Sequence, residues 1–411
     1  MVMCSASEGI VADKIREDTS KIQIVMQYLE SRGLMRSLAQ IEEETGLTYM
    51  PMSLSAGGIL DTLIDSMEAA KGSSIEVGEI SPLPSPGECA TSVVCKRDNI
   101  HGGMNPTSVV WSKYDSGKVF TGGVDGKIFQ WKWDNEQLTQ QGECWSTPSP
   151  VLFLDSSPDG FVVASCMGGE VLVYEEGGSR DSLCVLKPHG TNRVTCVQFS
   201  PDGKMIASFG RDIAVSFTAR QNNGDWGEIP EATIRYEREI SAICWISNDM
   251  IAVAETGNCM IGVYRITDSC RMMVGELCMN KSVRDPRSSY SMLTMTYHEE
   301  HRLLAGCTSR NSAILFTLPE KLKENDPVCP IKTYYGMSLG LYDFPSIMFS
   351  VDGSFLYITS DKELLVFEAK TCHKVFSVNG SESKPIRCVS RMLHSDVLAT
   401  VSFDKYLYVI S

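Results

Sequence analysis

The stretch VTCVQFSPDGKMIASFGRDIAVSF, residues 194–217, decides the fold. It holds three short apolar runs separated by two polar turns, the first of which is Ser200-Pro201-Asp202-Gly203. Asp and Gly tolerate the backbone angles of tight hairpins, so the pattern predicts three antiparallel strands in succession. Similar hairpin turns recur at Asp159-Gly160 and Asp352-Gly353.

The same pattern repeats along the last three quarters of the chain, at intervals of 43, 43, 47, 52, 51 and 43 residues. A sustained period of roughly 40–50 residues indicates a repeat architecture, and four short strands per repeat indicate a β-propeller. A propeller is usually a binding platform. The residues that close the seven repeats are Trp131, Tyr174, Phe217, Tyr264, Phe316, Phe367 and Ile410.

These repeats resemble WD repeats, in which V-x-x-V-x-F-S-P-D-G forms the first strand and its hairpin. The Trp-Asp pair of that family is missing in register from every repeat, since Trp131 is followed by Lys132. We therefore expect the hydrogen-bonded tetrad of many WD blades to be missing, and residues 91–411 to form a divergent seven-bladed propeller. The chain stops at a third strand, so residues 91–96 should supply the outer strand of the last blade and close the ring.

The N-terminal part predicts helices. Residues 1–18 are polar and expected to be flexible, and residues 19–70 show helical apolar spacing. Residues 24–44 resemble a LisH motif, with Tyr28-Leu29 ending the first helix, a turn at Gly33 and an acidic end to the second helix. LisH motifs dimerise as four-helix arrangements; the alternative is a helical hairpin packed on the propeller. The resemblance implies dimerisation through Ile22, Val25, Met26, Leu29, Leu38 and Ile41.

A third helix is predicted over residues 58–70, followed by a Pro/Gly/Ser-rich linker at residues 71–90. Ser81-Pro82 and Ser85-Pro86 are candidate sites for proline-directed phosphorylation, and the alternative is a plain solvated spacer. The fold class expected from the whole chain is mainly β, a seven-bladed propeller with a small N-terminal helical segment of LisH type.

Charge and motifs exclude several function classes. The net charge is −14. Residues 1–90 hold 6 Lys/Arg against 14 Asp/Glu, a charge of −8, so the rest of the chain carries −6. Neither part has the excess of Lys and Arg that nucleic-acid binding needs, so that function is not favoured. Phosphate-loop, zinc-protease and serine-hydrolase motifs are absent, so we expect no enzyme activity, cofactor or metal. His298 and His301 flank Glu299-Glu300 at a predicted hairpin, which favours a surface turn. No membrane segment is visible, and 15 scattered cysteines favour reduced thiols and an intracellular location, in cytoplasm or nucleus.

The resemblance implies a scaffold that dimerises through LisH helices and binds partner proteins of a multi-subunit complex through its propeller. The alternatives are a ubiquitin-ligase substrate receptor, for which Phe217-Thr218-Ala219-Arg220 retains one Arg of the family's motif, and a splicing-complex subunit. Arg193, Arg238 and Arg387 precede first strands by one or two residues, so they should share one face as a basic ring for acidic or phosphorylated peptides. The competing interpretation pairs each Arg with a nearby acid, such as Glu237 or Glu239. A second candidate contact is the loop that holds Lys281, Arg284 and Arg287.

Overall fold

The computed structural model divides the chain into two compact units, Met1–Ile80 and Ser81–Ser411. It describes residues 25–26, 28–29, 34–45, 83–84, 87, 89–267, 270–280, 290–323, 326–338, 345–379 and 384–411. The first unit contains helix α1 (Met35–Thr45), which lies where the second N-terminal helix was predicted. Ile22 and the helix predicted at residues 58–70 lie outside the described residues.

Residues 25, 26, 28 and 29 are also helical. The amide of Leu34 donates to the carbonyl of Leu29 at 2.8 Å. Met26 and Leu38 are buried, Leu29 and Ile41 are half-buried, and Val25 is 39% exposed. The apolar stripe expected from the sequence is therefore only partly covered.

In the described part of the second unit, the strands form seven antiparallel sheets, or blades. The strand nearest the N-terminus is β1 (Val93–Arg97). Blade 1 is β2 (Pro106–Trp111), β3 (Lys118–Gly123), β4 (Lys127–Asp134) and β5 (Gln137–Ser146). Blade 2 is β6 (Val151–Ser156), β7 (Phe161–Cys166), β8 (Val171–Glu175) and β9 (Cys184–Leu186). Blade 3 is β10 (Val194–Phe199), β11 (Met205–Gly210), β12 (Ala214–Arg220), β13 (Trp226–Glu228) and β14 (Ile234–Arg235), with a 3-10 turn at Pro230–Ala232.

The remaining blades follow the same order from first to fourth strand. Blade 4 is β15 (Ile240–Trp245), β16 (Met250–Glu255), β17 (Met260–Ile266) and β18 (Arg271–Cys278). Blade 5 is β19 (Met292–His298), β20 (Leu303–Thr308), β21 (Ser312–Thr317) and β22 (Lys332–Tyr334). Blade 6 is β23 (Ile347–Phe349), β24 (Phe355–Ser360), β25 (Glu363–Glu368) and β26 (Lys374–Asn379). Blade 7 is β27 (Ile386–Arg391), β28 (Leu398–Ser402) and β29 (Leu407–Ile410), with β1 as its fourth strand.

Closure of the ring by the predicted N-terminal strand is confirmed. β1 pairs antiparallel with β29, so that Lys96 lies opposite Tyr408 and Arg97 opposite Leu407. The amides of Thr91 and Ser92 both donate to the carbonyl of Ser411 at 3.0 Å. The last strand of the chain is thus no longer an open sheet edge.

Among the described residues of the second unit, the hydrophobic core is divided into seven clusters, each lying between two neighbouring blades. Between blades 7 and 1, for example, Trp111 and Trp131 pack with Val401 and Val409. Equivalent clusters occupy each of the other six gaps. Blades are therefore held together mainly by apolar packing, as expected from the sequence.

The repeat register read from the sequence is off by one residue in blade 3. Trp131 and its counterparts in five other blades pack against the preceding blade. Phe217 instead packs toward the following blade, against Trp245. Its neighbour Thr218 lies opposite Ile206, on the face that points to blade 2, and so occupies the position of the family Trp. The sequence pattern selected Phe217 because it is aromatic, although the residue at the equivalent position is its neighbour Thr218.

The described residues of the expected linker at 71–90 lie against the propeller. Leu83 packs beside the cluster between blades 5 and 6. The Gly87 amide donates to Ser354 Oγ at 3.3 Å, and the Ala90 amide donates to the Tyr357 hydroxyl at 3.2 Å. The second compact unit, Ser81–Ser411, accordingly includes these residues.

The long connection in blade 5 covers the outer edge of blade 4. The amide of Cys278 donates to Val328 O at 2.9 Å, and the Val328 amide donates to Glu276 O at 3.1 Å. Leu322 lies beside Gly275 of the same edge. This segment shields an edge strand of blade 4 from other chains.

Two truncations test the closure. We expect residues 91–411 to unfold cooperatively, and residues 98–411 to unfold at a clearly lower temperature, because the second truncation alone removes β1 from β29. Differential scanning calorimetry of both, with residues 81–411 as the reference, gives the comparison. Equal midpoints for 91–411 and 98–411 would show that β1 does not hold the ring closed.

Candidate functional site

The candidate site is the upper rim, which we define as the segments leading into the first strands together with the turns between second and third strands. Successive antiparallel strands alternate in direction, so these segments all lie at the same end of the propeller. Their position is set by polar anchors that tie each turn to the segment beside it. The anchors differ from blade to blade.

In blade 1 the anchor is a complete four-residue network. His101 is 1% exposed; its Nδ1 lies 2.9 Å from Asp125 Oδ1, and its Nε2 lies 3.2 Å from Thr121 Oγ1. Trp131 Nε1 donates to the same Thr121 oxygen at 2.9 Å. This arrangement fits a tautomer in which His101 Nδ1–H donates to the Asp125 carboxylate.

The expectation that the tetrad is missing was therefore wrong for blade 1. That expectation rested on the absence of the Trp-Asp pair, but the Asp of that pair takes no part in the network. The useful signal was His101 followed by Thr121, Asp125 and Trp131. Asp125 lies 4 residues after Thr121, and Trp131 lies 10 residues after it.

Blade 3 holds three of the same four members. His189 Nδ1 lies 2.8 Å from Asp212 Oδ1, and Nε2 lies 3.0 Å from Ser208 Oγ. Thr218, buried at 2% exposure, stands where blade 1 has its Trp. Blade 3 therefore keeps the histidine contacts although it lacks the Trp side chain.

Other blades use different side chains for the same purpose. In blade 2, Ser149 Oγ donates to Glu170 at 3.0 Å and accepts the Gly168 amide at 2.8 Å. Burial alone would raise the pKa of the Glu170 carboxyl, but hydrogen bonds from a backbone amide, Ser149 and Lys187 hold it below its ordinary value. In blade 7, the Tyr408 hydroxyl donates to Asp404 at 2.9 Å within the β28–β29 hairpin, and the Phe403 amide donates to Pro385 O of the segment leading into β27 at 3.2 Å.

The anchors engage three acidic side chains of the rim. The side chains of Asp125, Asp212 and Glu170 are only 14%, 19% and 10% exposed. Each is held by the neighbouring rim segment, through His101, His189, and Ser149 with Lys187 respectively. They are consequently turned away from solvent. The basic side chains of the same loops are more exposed to solvent than these three acids.

The predicted basic residues lie on this rim, in three different environments. Arg193 is half-buried, and its Nε has no acceptor among the described residues. Arg238 is exposed and donates to Gly257 O at 2.9 Å. Arg387 does not precede its first strand as expected but is the second residue of β27, with its guanidinium 6.0 Å from the Phe403 ring.

The proposed pairing of Arg238 with Glu239 is not the contact observed. Glu239 instead faces Arg211 of blade 3 at 3.9 Å, with both side chains 58% exposed. Such an exposed, long ion pair contributes little stability. Lys281, Arg284 and Arg287 lie outside the described residues.

Sequence reasoning missed a group of exposed apolar side chains on the same rim. Met104, Val124 and Met167 are 47%, 37% and 54% exposed. Val124 and Met167 follow directly on second strands, within Gly123-Val124-Asp125 and Cys166-Met167-Gly168. An apolar residue in a turn otherwise made of Gly and Asp was the available signal.

His298 and His301 lie at the other end of the propeller, on a hairpin between strands as predicted. Their rings stack at 5.1 Å, and His298 Nε2 lies 3.0 Å from Val351 O of blade 6. Among the described residues, no group of three His, Cys, Asp or Glu could hold a metal ion. No helix in the same residues is long and apolar enough to cross a membrane.

Residues 180–215 match the model of the WD domain, G-beta repeat family. The matched stretch contains the His189–Asp212–Ser208 anchor and the strands that begin blade 3. This match and the seven-bladed architecture support a WD-repeat propeller. Propellers of this type generally act as interaction scaffolds.

The histidine anchors make a stability prediction. His101→Ala should lower the free energy of unfolding by about 1–3 kcal/mol, because it leaves Asp125 and Thr121 without a buried partner. His189→Ala should have a similar effect. Urea denaturation of both, beside the exposed-site control His373→Ala, measures this. A midpoint for His101→Ala equal to that of the control would contradict the anchoring role.

Proposed function

We propose that the protein is a non-enzymatic scaffold that holds partner proteins on the upper rim of its propeller. The observation that carries this proposal is a group of exposed apolar side chains, Met104, Val124 and Met167, on rim loops that buried polar anchors hold in place. The polar anchors fix the loops in place, so a partner meets a surface that loses little conformational entropy on binding.

Charge reversal on the rim tests the proposal. Arg193→Glu, Arg238→Glu and Arg387→Glu, combined in one chain, should reduce partner recovery at least tenfold while the thermal midpoint stays close to that of the parent. The control combines Lys204→Glu, Lys321→Glu and Lys370→Glu, which make the same charge change at exposed positions of the opposite face. Quantitative affinity-purification mass spectrometry compares the three proteins. Equal recovery by the rim variant and the parent would place the binding surface elsewhere.

The same experiment separates the kinds of complex. Recovery of ligase, splicing or other subunits distinguishes a substrate receptor from an RNA-processing subunit. For the receptor alternative, Arg220 lies with its guanidinium 4.6 Å from the Phe161 ring of blade 2, so this side chain already has a packing role. That contact favours the general scaffold over the receptor.

We also propose that the N-terminal helices of LisH type make the scaffold a homodimer. The partial exposure of Val25, Leu29 and Ile41 supports this, because an apolar helical stripe needs a partner to bury it.

Multi-angle light scattering tests the dimer. Full-length protein should have twice the mass of one chain, and Val25→Asp should convert it to a monomer, because a charge in a buried apolar interface is costly. The matched change Ser37→Asp, at an exposed position of α1, should leave the dimer intact. A monomeric parent protein would rule the proposal out.

A further inference from the structure

Three cysteines from distant parts of the chain meet where the blade 5 connection covers the outer edge of blade 4. Cys278 is the last residue of β18, Cys259 directly precedes β17, and Cys329 follows Val328 in the connection from β21 to β22. All three carry reduced thiols. We call these three residues the blade 4 thiol cluster.

Backbone pairing sets Cys278 and Cys329 side by side. Leu277 and Val328 form a parallel bridge. The Val328 amide donates to Glu276 O at 3.1 Å, and the Val328 carbonyl accepts the Cys278 amide at 2.9 Å. The two cysteines are the next residues along these parallel segments, so the register places them opposite each other on one face. Paired strands lie about 4.8 Å apart, within the range of about 4.4–6.8 Å between Cα atoms that a disulfide bond spans.

Cys259 brings a third thiol to the other side of β18. The Met279 amide donates to Cys259 O at 2.8 Å, and Met260, the residue after Cys259, lies opposite Cys278. The Cys259 thiol is in hydrogen-bond contact with the Cys278 thiol. Cys278 therefore has a thiol neighbour on each of the two segments that flank its strand.

Exposure and ionisation give the three thiols different roles. Cys278 is buried, at 2% exposure, whereas Cys259 and Cys329 are half-buried. Burial raises the pKa of the Cys278 thiol, and the nearby thiols of Cys259 and Cys329 raise it further. Since the thiolate is the form that an oxidant attacks, Cys278 is a poor first target, and a half-buried neighbour is attacked before it.

We propose that the blade 4 thiol cluster is a site of reversible oxidation by hydrogen peroxide, in which Cys278 closes a disulfide bond with Cys259 or Cys329. In the first step, the thiol of a half-buried cysteine becomes a sulfenic acid as the O–O bond of peroxide breaks and one water leaves. In the second step, the Cys278 sulfur attacks the sulfenic sulfur, so that an S–S bond forms, the S–O bond breaks, and the hydroxide leaves with the Cys278 thiol proton as a second water. The two thiols lose two electrons to one peroxide, and two molecules of a thiol such as glutathione return them.

The bond to Cys329 has a consequence for the edge of blade 4. The hydrogen bonds of Val328, together with Leu322 beside Gly275, seat the connection over β18. A covalent link next to Val328 keeps this connection from opening, so oxidation locks the cover over an edge strand with which other chains could pair. The bond to Cys259 instead ties the β16–β17 turn to the end of β18.

Disulfide mapping of the full-length protein tests the proposal. Reduced protein is exposed to hydrogen peroxide, its remaining thiols are blocked with iodoacetamide, and its peptides are identified by mass spectrometry without reduction. Cys278 should appear in peptides linked to Cys259, to Cys329 or to both, and dithiothreitol should remove these links. Disulfides that exclude Cys278, or a cluster that stays reduced while the exposed Cys270 is oxidised, would overturn the proposal.

Single variants separate the two bonds. Cys259→Ser should leave only the link from Cys278 to Cys329, Cys329→Ser should leave only the link to Cys259, and the double variant should leave Cys278 reduced. Cys95→Ser, a matched change of a half-buried cysteine on blade 7, should keep the links of the parent protein. Thermal midpoints of the reduced variants close to that of the parent show that they are folded. A disulfide of Cys278 in the double variant would contradict the assignment of its partners.

Hydrogen exchange in Cys259→Ser tests the locked cover. Because the one remaining bond joins Cys278 to Cys329, peptides that contain the Cys278 and Val328 amides should exchange about tenfold more slowly after oxidation than before it. Exchange that oxidation leaves unchanged would show that the bond does not hold the cover in place.

Discussion

Each blade of this propeller is a sheet with two apolar faces, and both must be covered by neighbours. An open row of seven blades would leave two such faces in water, at a cost of about 25 cal/mol for each Å² of apolar surface. Pairing of β1 with β29 removes that cost, because it completes blade 7 and seats it between the clusters shared with blades 6 and 1. The seven apolar clusters, the rim and its loops all depend on this closure.

Because the clusters between blades carry the packing, the polar anchors of the rim are free to vary. A buried His–Asp pair holds the turn in blades 1 and 3, Ser149 with Glu170 does so in blade 2, and Tyr408 with Asp404 does so in blade 7. Each solution satisfies buried polar groups and fixes a loop. The chain can thus depart from the WD pattern in most repeats and still present a rigid rim.

The fold was readable from the sequence because hairpin turns and apolar periods are local. Gly160, Gly203 and Gly353 adopt positive φ where their Asp-Gly turns predicted hairpins. Contacts between distant segments were not readable in the same way. His101 was overlooked because its partner Thr121 lies 20 residues away, and the bridge from Val328 to blade 4 leaves no local pattern. On the rim, the low exposure of Asp125 and Asp212 follows from their contacts with His101 and His189, which no local sequence pattern shows.

The rim shows why net charge is a poor guide to what this surface can bind. At physiological ionic strength, charges are screened beyond about 8 Å, so the net charge of the chain acts weakly on a group already at the surface. What such a group meets is the local arrangement, in which Asp125 and Asp212 are tied to histidines and the exposed Arg211 faces Glu239 at 3.9 Å. Local pairing of this kind, rather than the charge of the whole chain, decides which partner groups the rim can accept.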